Sequence, residues 1–103
     1  MKTTFQEKDN HYVMTFEGRL DTAASLHVER DTQALKDCTG HDIILDCSKL
    51  EYISSSGLRI FLSLLKNAKA KHSQCTIVGL NSDLRQVFDE TGFSRLFNIK
   101  SEE

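Results

Sequence analysis

The sequence contains no proline and no tryptophan, and its 103 residues include only five glycines. Without proline, the turns between helices and strands have to be marked by glycine, asparagine and aspartate. No run of about 18 apolar residues occurs, so we expect no transmembrane helix and no insertion into a membrane. The first eight residues lack the apolar segment of a secretion signal, and we therefore expect a cytoplasmic protein.

The three cysteines are Cys38, Cys47 and Cys75, an odd number with wide spacing and no CxxC pair. This pattern argues against a disulfide framework and against a zinc site, so we expect reduced thiols and no bound metal or cofactor. The phosphate-binding GxxxxGK[ST] loop is absent, as are the GxGxxG, HExxH and GxSxG motifs. We therefore expect a protein that is not an enzyme.

Acidic and basic residues are interspersed along the chain, and the formal net charge is -2 at pH 7. A surface that binds nucleic acid normally shows a basic excess, so we expect no nucleic-acid partner. Hydrophobic residues make up 39% of the sequence, which is enough for a packed core. The chain length fits one domain, which we place at residues 1–103.

The hydrophobic pattern predicts strands that alternate with helices. Strands are predicted at residues 3–8, 12–16, 41–46 and 75–80, and a short final segment at 93–99. Helices are predicted at 21–37, at 83–91, and between them at a helix whose apolar-periodic part spans 58–70. The first two strands form a hairpin with a turn at Asp9-Asn10, and residues 18–21 form a tight connection. Gly40 is predicted to stop the first helix. Such an order implies an α/β fold with a mixed, mostly parallel sheet.

The most informative stretch runs from Asp46 to Leu58, where a strand-loop region leads into the best-patterned helix. Within it, Ser54-Ser55-Ser56-Gly57 places three hydroxyls at a helix N-terminus, where backbone N–H groups are free and the helix dipole is positive. Ser54 or Ser55 is the predicted N-cap, and Ser56, Gly57 and Leu58 then form the first turn. A serine there is either a plain N-cap or a place where a phosphate is tolerated. Gly57 disfavours helix by up to about 1 kcal/mol. It therefore indicates either close approach of a partner or tight packing against residues 18–21.

Two apolar residues on this helix lie away from its predicted core-facing side. The core-facing stripe follows the i, i+3, i+4, i+7 spacing and consists of Leu58, Phe61, Leu62, Leu65 and Ala68. Ile60 and Leu64 point elsewhere. They either pack on the third helix or form an exposed apolar strip that a partner protein would cover.

These residues resemble the signature of STAS domains, a family of anti-sigma factor antagonists that is also found in the tails of sulfate transporters. The resemblance rests on the stretch from Asp46 to Leu58, on Gly18-Arg19-Leu20-Asp21-Thr22-Ala23 and on Thr91-Gly92-Phe93-Ser94-Arg95-Leu96-Phe97. It implies the STAS-like fold, here a mixed sheet of four to five strands with about three helices packed mainly on one face.

The resemblance also implies a mechanism of regulation. In antagonists of this type, an anti-sigma factor that is a serine kinase phosphorylates a serine at the helix start, and a PP2C-type phosphatase removes the phosphate. The unphosphorylated form binds the kinase and frees a sigma factor. Aligned on the glycine, the phosphorylated residue is Ser55, and Ser54 stands where the family has an acidic residue. The implied surroundings of this phosphosite are Asp21, Thr22, Ser54, Ser56 and Gly57.

Next to this phosphosite, we expect a partner-binding face formed by three apolar residues of the same helix, Leu58, Ile60 and Leu64. The runner-up function is a STAS subunit of a lipid-transport or other signalling complex that has no phosphorylation switch. A third alternative is an enzyme, a small serine or thiol hydrolase. Such an enzyme would hydrolyse an ester substrate, and the Ser55→Ala variant would lose this activity.

Overall fold

The computed structural model describes residues 1–9, 11–37 and 41–101. Its strands are β1 (Lys2–Lys8), β2 (His11–Leu20), β3 (Asp42–Ile53), β4 (Cys75–Val78) and β5 (Asn98–Lys100). Its helices are α1 (Thr22–Asp31), α2 (Gln33–Asp37), α3 (Ser55–Ala70) and α4 (Ser82–Glu90), followed by a 3₁₀ turn at Phe93–Arg95. None of the helices described is both long enough and apolar enough to cross a membrane.

The five strands form one sheet in the order β1-β2-β3-β4-β5. The β1–β2 pair is antiparallel, and the other three pairs are parallel. Because each right-handed crossover steps to the next strand in the same direction, the helices all pack on the same face. The burial pattern along β3 agrees with helices on one face of the sheet. Ile43, Leu45 and Cys47 are buried, whereas the alternate residues Ile44 and Asp46 are only half-buried. The predicted STAS-like mixed sheet with helices on one face is confirmed.

Three buried phenylalanines connect the sheet to its helices. The ring of Phe16 on β2 lies 5.1 Å from that of Phe61 on α3, measured between centroids. Phe61 in turn lies 6.2 Å from Phe88 on α4. In the absence of tryptophan, these rings and the surrounding leucines, isoleucines and valines form the core.

Two strands are longer than predicted. β2 continues to Leu20, so the predicted tight connection at residues 18–21 is wrong, and β3 continues to Ile53 instead of ending at Asp46. Polar residues interrupt the apolar run of β3, but Asp46 Oδ1 accepts hydrogen bonds from Ser48 N at 3.0 Å and Ser48 Oγ at 2.7 Å. These bonds coincide with a register shift between β2 and β3, which allows the strand to continue.

The predicted first helix is interrupted. α1 ends at Asp31, and Thr32 separates it from α2 with a buried side chain whose hydroxyl donates to Glu29 O at 2.9 Å. α3 begins at Ser55 with Ser54 as its N-cap, which is one of the two capping positions predicted from the sequence. Gly92 follows α4 in the left-handed conformation with φ of 80°, as its predicted stop position requires. The predicted stop at Gly40 and the turn residue Asn10 lie outside the described residues.

Candidate functional site

The N-termini of α1 and α3 lie side by side at the carboxyl end of the sheet. Leu20 and Ile53, the last residues of β2 and β3, are partners in the parallel ladder. Ser54 N donates to Leu20 O at 2.8 Å, which holds the two chain segments together just beyond the strands. Each helix begins directly after this point, so the positive ends of two helix dipoles meet at one edge.

Each of these helices has its own side-chain cap. Asp21 caps α1, because its Oδ1 accepts a hydrogen bond from Ala24 N at 2.8 Å. Ser54 caps α3, because its Oγ accepts from Gly57 N at 3.1 Å. Both capping residues have extended backbone, as N-caps do.

The three consecutive serines have different environments. Ser54 has an exposed fraction of only 8%, and its hydroxyl oxygen is occupied by the cap. Ser55 is the first residue of α3 and its side chain is exposed, whereas Ser56 is half-buried. Thr22 is exposed at the corresponding first position of α1. Ser55 is therefore the serine of the three that another protein can reach most readily.

Gly57 is buried where the start of α3 rests on the ends of β2 and β3. A Cβ atom at this position would lie 2.7 Å from Leu20 Cγ and 2.8 Å from Ile53 Cγ1. Of the two expectations for this glycine, tight packing within the protein is therefore the one observed. The predicted packing against residues 18–21 is confirmed at Leu20, and the missing side chain does not face a partner.

Of the two alternatives for Ile60 and Leu64, packing within the protein is observed, and the exposed strip with its predicted partner-binding residues is wrong. Leu64 is fully buried, Ile60 has an exposed fraction of 7%, and Leu58 is half-buried. α3 packs on the sheet with one side and on α1 and α2 with the next, so two adjacent faces of the helix are covered. A helix with a single core-facing stripe would expose Ile60 and Leu64. Because α3 has a second covered face, both residues are buried.

A groove of about 350 Å³ lies between α1 and α3, next to the serines. Its walls include Ser25, Leu26 and Glu29 from α1, and Ser56, Arg59 and Ile60 from α3. Leu26 is 71% exposed although it is a large apolar residue in the middle of α1. The groove was not predicted from the sequence. One signal was available: Leu26 lies two residues before Val28, and therefore not on the face of α1 that Val28 buries.

An exposed aromatic side chain lies at the same edge of the sheet. The guanidinium carbon of Arg19, on β2, lies 4.5 Å from the ring centroid of Tyr52, on β3. The two residues are ladder partners, one position before Leu20 and Ile53. This cation–π pair packs one side of the strand ends from which α1 and α3 begin.

A larger cavity, of about 490 Å³, lies elsewhere, on the face of the sheet without helices. Val13, Ile44 and Val78 contribute its apolar part, and Lys8, Asp9, Asp42 and Lys100 contribute charges that cancel. None of the predicted site residues lines it. The larger cavity and the predicted site are therefore separate features.

No group of three or more histidine, cysteine or acidic side chains is placed to hold a metal ion in residues 1–9, 11–37 and 41–101. Burial raises the pKa of the Cys75 thiol to about 12. Burial, and then the charge of Asp46, raises the pKa of Cys47 well above its ordinary value of 9.0. Both thiols are thus protonated at neutral pH, and Cys38 lies outside the described residues.

Comparison with known proteins identifies relatives over almost the whole chain. The model of the STAS domain family matches residues 2–103. BtrV of Bordetella bronchiseptica, whose name describes it as an anti-sigma factor antagonist, is 28% identical over 99 residues, which are 96% of this chain and 85% of that protein. The anti-sigma-B factor antagonist of Listeria monocytogenes is 25% identical over 99 residues, which are 95% and 87% of the two chains.

Solved structures share the fold at lower identity. An anti-sigma factor antagonist from Mycobacterium paratuberculosis superposes with a TM-score of 0.88 at 19% identity, covering 97% of this chain and 85% of that one. The Bacillus cell fate determinant SpoIIAA in its phosphorylated form superposes with a TM-score of 0.73 at 18% identity, covering 98% and 93%. At such identities the superpositions establish the fold alone.

Proposed function

The chain belongs to the STAS domain family, and from this premise we propose that it is an anti-sigma factor antagonist switched by phosphorylation of Ser55. Unphosphorylated, it binds an anti-sigma factor that is a serine kinase, and a sigma factor is freed. The kinase transfers the γ-phosphate of ATP to Ser55, and the phosphorylated form releases the kinase. A PP2C-type phosphatase hydrolyses the phosphoserine and restores the binding form. The protein itself acts by binding and has no catalytic role.

One observation carries this proposal: Ser55 is exposed at the first position of α3, while Ser54 beside it is buried as the N-cap. A kinase can reach the Ser55 hydroxyl without opening the fold. Modification of Ser54 would instead require its buried hydroxyl to leave the position in which it accepts the Gly57 N–H bond. The choice of Ser55 among the three serines is supported by this difference in burial.

The location also favours survival of the fold after phosphorylation. A phosphate adds about 1.5 to 2 negative charges at neutral pH. Negative charge at a helix N-terminus is stabilising by about 0.3–1 kcal/mol at an exposed position. α1 begins beside α3, so a second helix dipole also stabilises the phosphate. The carboxylate of Asp21 has the opposite effect, because it repels the negative charge of the phosphate. We expect a changed surface on an unchanged fold.

Loss of binding follows from the partner's side of the contact. A surface that fits a neutral serine hydroxyl provides no counter-charge for a phosphate dianion, which would be desolvated on contact. Thr22 and Ser56, on the first turns of α1 and α3, belong to the same surface in this proposal. Phosphorylation therefore ends binding to the kinase and does not unfold the protein.

The experiment that tests this proposal maps the phosphate. The protein is incubated with its cognate anti-sigma factor kinase and ATP, and the modified peptide is sequenced by mass spectrometry. We expect one phosphate on Ser55, none on Ser55→Ala, and normal modification of the matched control Ser56→Ala. Undiminished phosphorylation of Ser55→Ala would overturn the assignment.

A further inference from the structure

The groove between α1 and α3 contains an apolar side chain that the fold does not use. Leu26 is 71% exposed, the largest exposed fraction among the large hydrophobic residues described. It lies across the groove from Arg59 and Ile60, and Ser56 completes this wall one residue after Ser55. An exposed leucine beside a concavity is a place where a partner gains free energy by removing apolar surface from water.

The charged side chains of this groove do not neutralise one another. Glu29 stands on α1 and Arg59 on α3, and no ion pair joins them or joins Arg59 to any other side chain that the structure describes. Lys36 of α2 lines one end of the groove and adds a second positive charge. With two cations against one carboxylate, the groove favours an occupant with negative charge.

We infer that this groove is a docking site for a segment of the partner kinase that carries an apolar side chain and a carboxylate. The apolar side chain covers Leu26, and the carboxylate pairs with Arg59. The inference rests on the proposed function, which supplies the partner. It adds a contact surface beyond Ser55 and replaces the exposed strip that the sequence predicted on α3.

The position of Arg59 connects the groove to the switch. Arg59 follows Ser55 by four residues on α3, and side chains at this spacing are neighbours on a helix surface. A phosphate on Ser55 therefore attracts the Arg59 guanidinium and repels the carboxylate that would otherwise pair with it. Phosphorylation in this way removes a docking contact as well as adding a charge.

The first test measures the affinity of the purified full chain for its cognate kinase by isothermal titration calorimetry. We expect Leu26→Gln to weaken binding at least tenfold. The matched control is Leu96→Gln, which replaces another exposed leucine, 45% exposed and outside the groove, and we expect it to change affinity less than twofold. Circular dichroism confirms that both variants fold. Equal affinity of Leu26→Gln and the wild type would overturn the docking site.

The second test is a double-mutant cycle between Ser55→Glu and Arg59→Gln. Arg59→Gln alone should weaken binding several-fold, while the control Arg95→Gln, at an exposed arginine on the 3₁₀ turn, should not. We expect Ser55→Glu to reduce affinity by a smaller factor in the Arg59→Gln background than in the wild type. Independent, multiplicative effects would overturn the link between Arg59 and the switch.

These outcomes separate the two proposals. If the wild type binds the kinase but the Leu26 and Arg59 variants bind equally well, the proposed function stands and the docking groove is wrong. If the wild type does not bind the kinase, both proposals fail.

Discussion

A methyl group at position 57 would lie 2.7 Å from Leu20 Cγ and 3.0 Å from Leu20 Cδ2, closer than side-chain atoms pack in protein interiors. The glycine is thus a packing requirement where α3 begins. Ser55, two residues earlier, is exposed, so the same turn combines a rigid, buried side with an accessible hydroxyl. At the scale of single residues, the site depends on this difference between two positions of one turn.

Replacement of Gly57 by alanine should therefore destabilise the protein. Overpacking typically lowers the free energy of unfolding by about 1–3 kcal/mol, and alanine's better helix propensity offsets only about 1 kcal/mol of that. The midpoint of urea unfolding measures the change, with Ser63→Ala on the same helix as the control. A Gly57→Ala midpoint equal to or above that of the wild type would contradict this account of the packing.

The buried thiols predict a dependence of stability on alkaline pH. The folded protein keeps Cys47 and Cys75 protonated because burial raises their pKa values, whereas in the unfolded chain they ionise above their ordinary value of 9.0. Unfolding therefore releases protons at high pH, so this contribution to stability is complete below pH 9.0 and is lost above it.

The measurement compares urea midpoints at neutral pH and above pH 9.0 for the wild type and for a Cys47→Ala, Cys75→Ala variant. We expect the wild type to lose more stability on going to the higher pH. The two proteins differ only at these two thiols, so the difference between their losses reports the thiols. Identical losses would show that the two cysteines are not buried as described.

At the scale of elements, the start of α3 separates a capping serine from the proposed phosphosite. Ser54 accepts the Gly57 N–H bond, and loss of an N-cap typically reduces stability by about 1 kcal/mol. Ser54→Ala should therefore lower the urea midpoint, while Ser55→Ala should stay within about 0.5 kcal/mol of the wild type, as exposed substitutions do. Equal losses for the two variants would mean that the cap is shared between them.

The same element shows what could be predicted from the sequence and what could not. The serine-glycine pattern correctly indicated a helix N-terminus, because capping depends on residues close together in the chain. The outward side of α3 could be either packed or exposed on the sequence pattern; Ile60 and Leu64 are buried, and the helices that α3 packs on are α1 and α2, far away in sequence. Amphipathic spacing identifies one buried face and does not reveal a second neighbour.

Strand β3 illustrates a different limit. Its apolar part, residues 43–45, was predicted correctly, but the strand continues through Ser48, Lys49 and Glu51 to Ile53. Hydrophobicity does not identify this continuation, because it depends on the Asp46–Ser48 hydrogen bonds and on pairing with an equally extended β2. The consequence reaches the site, since the extension of both strands brings Leu20 and Ile53 together under Gly57.

At the scale of the whole molecule, the sheet order places the starts of α1 and α3 at one edge. The sequence order β2-α1-α2-β3-α3, with β2 and β3 adjacent and parallel, makes this proximity unavoidable. The alternation of strands and helices was sufficient to predict the mixed sheet, while the groove between α1 and α3 required the packed structure. The proposed phosphosite and the proposed docking groove thus form one continuous surface.

The most direct test of the central claim compares the affinity of the cognate anti-sigma factor kinase for the protein before and after phosphorylation of Ser55. Both forms are titrated into the kinase by calorimetry under the same conditions, after NMR spectra have shown that the fold is unchanged. We predict at least tenfold weaker binding of the phosphorylated form. Equal affinity of the two folded forms would contradict the account.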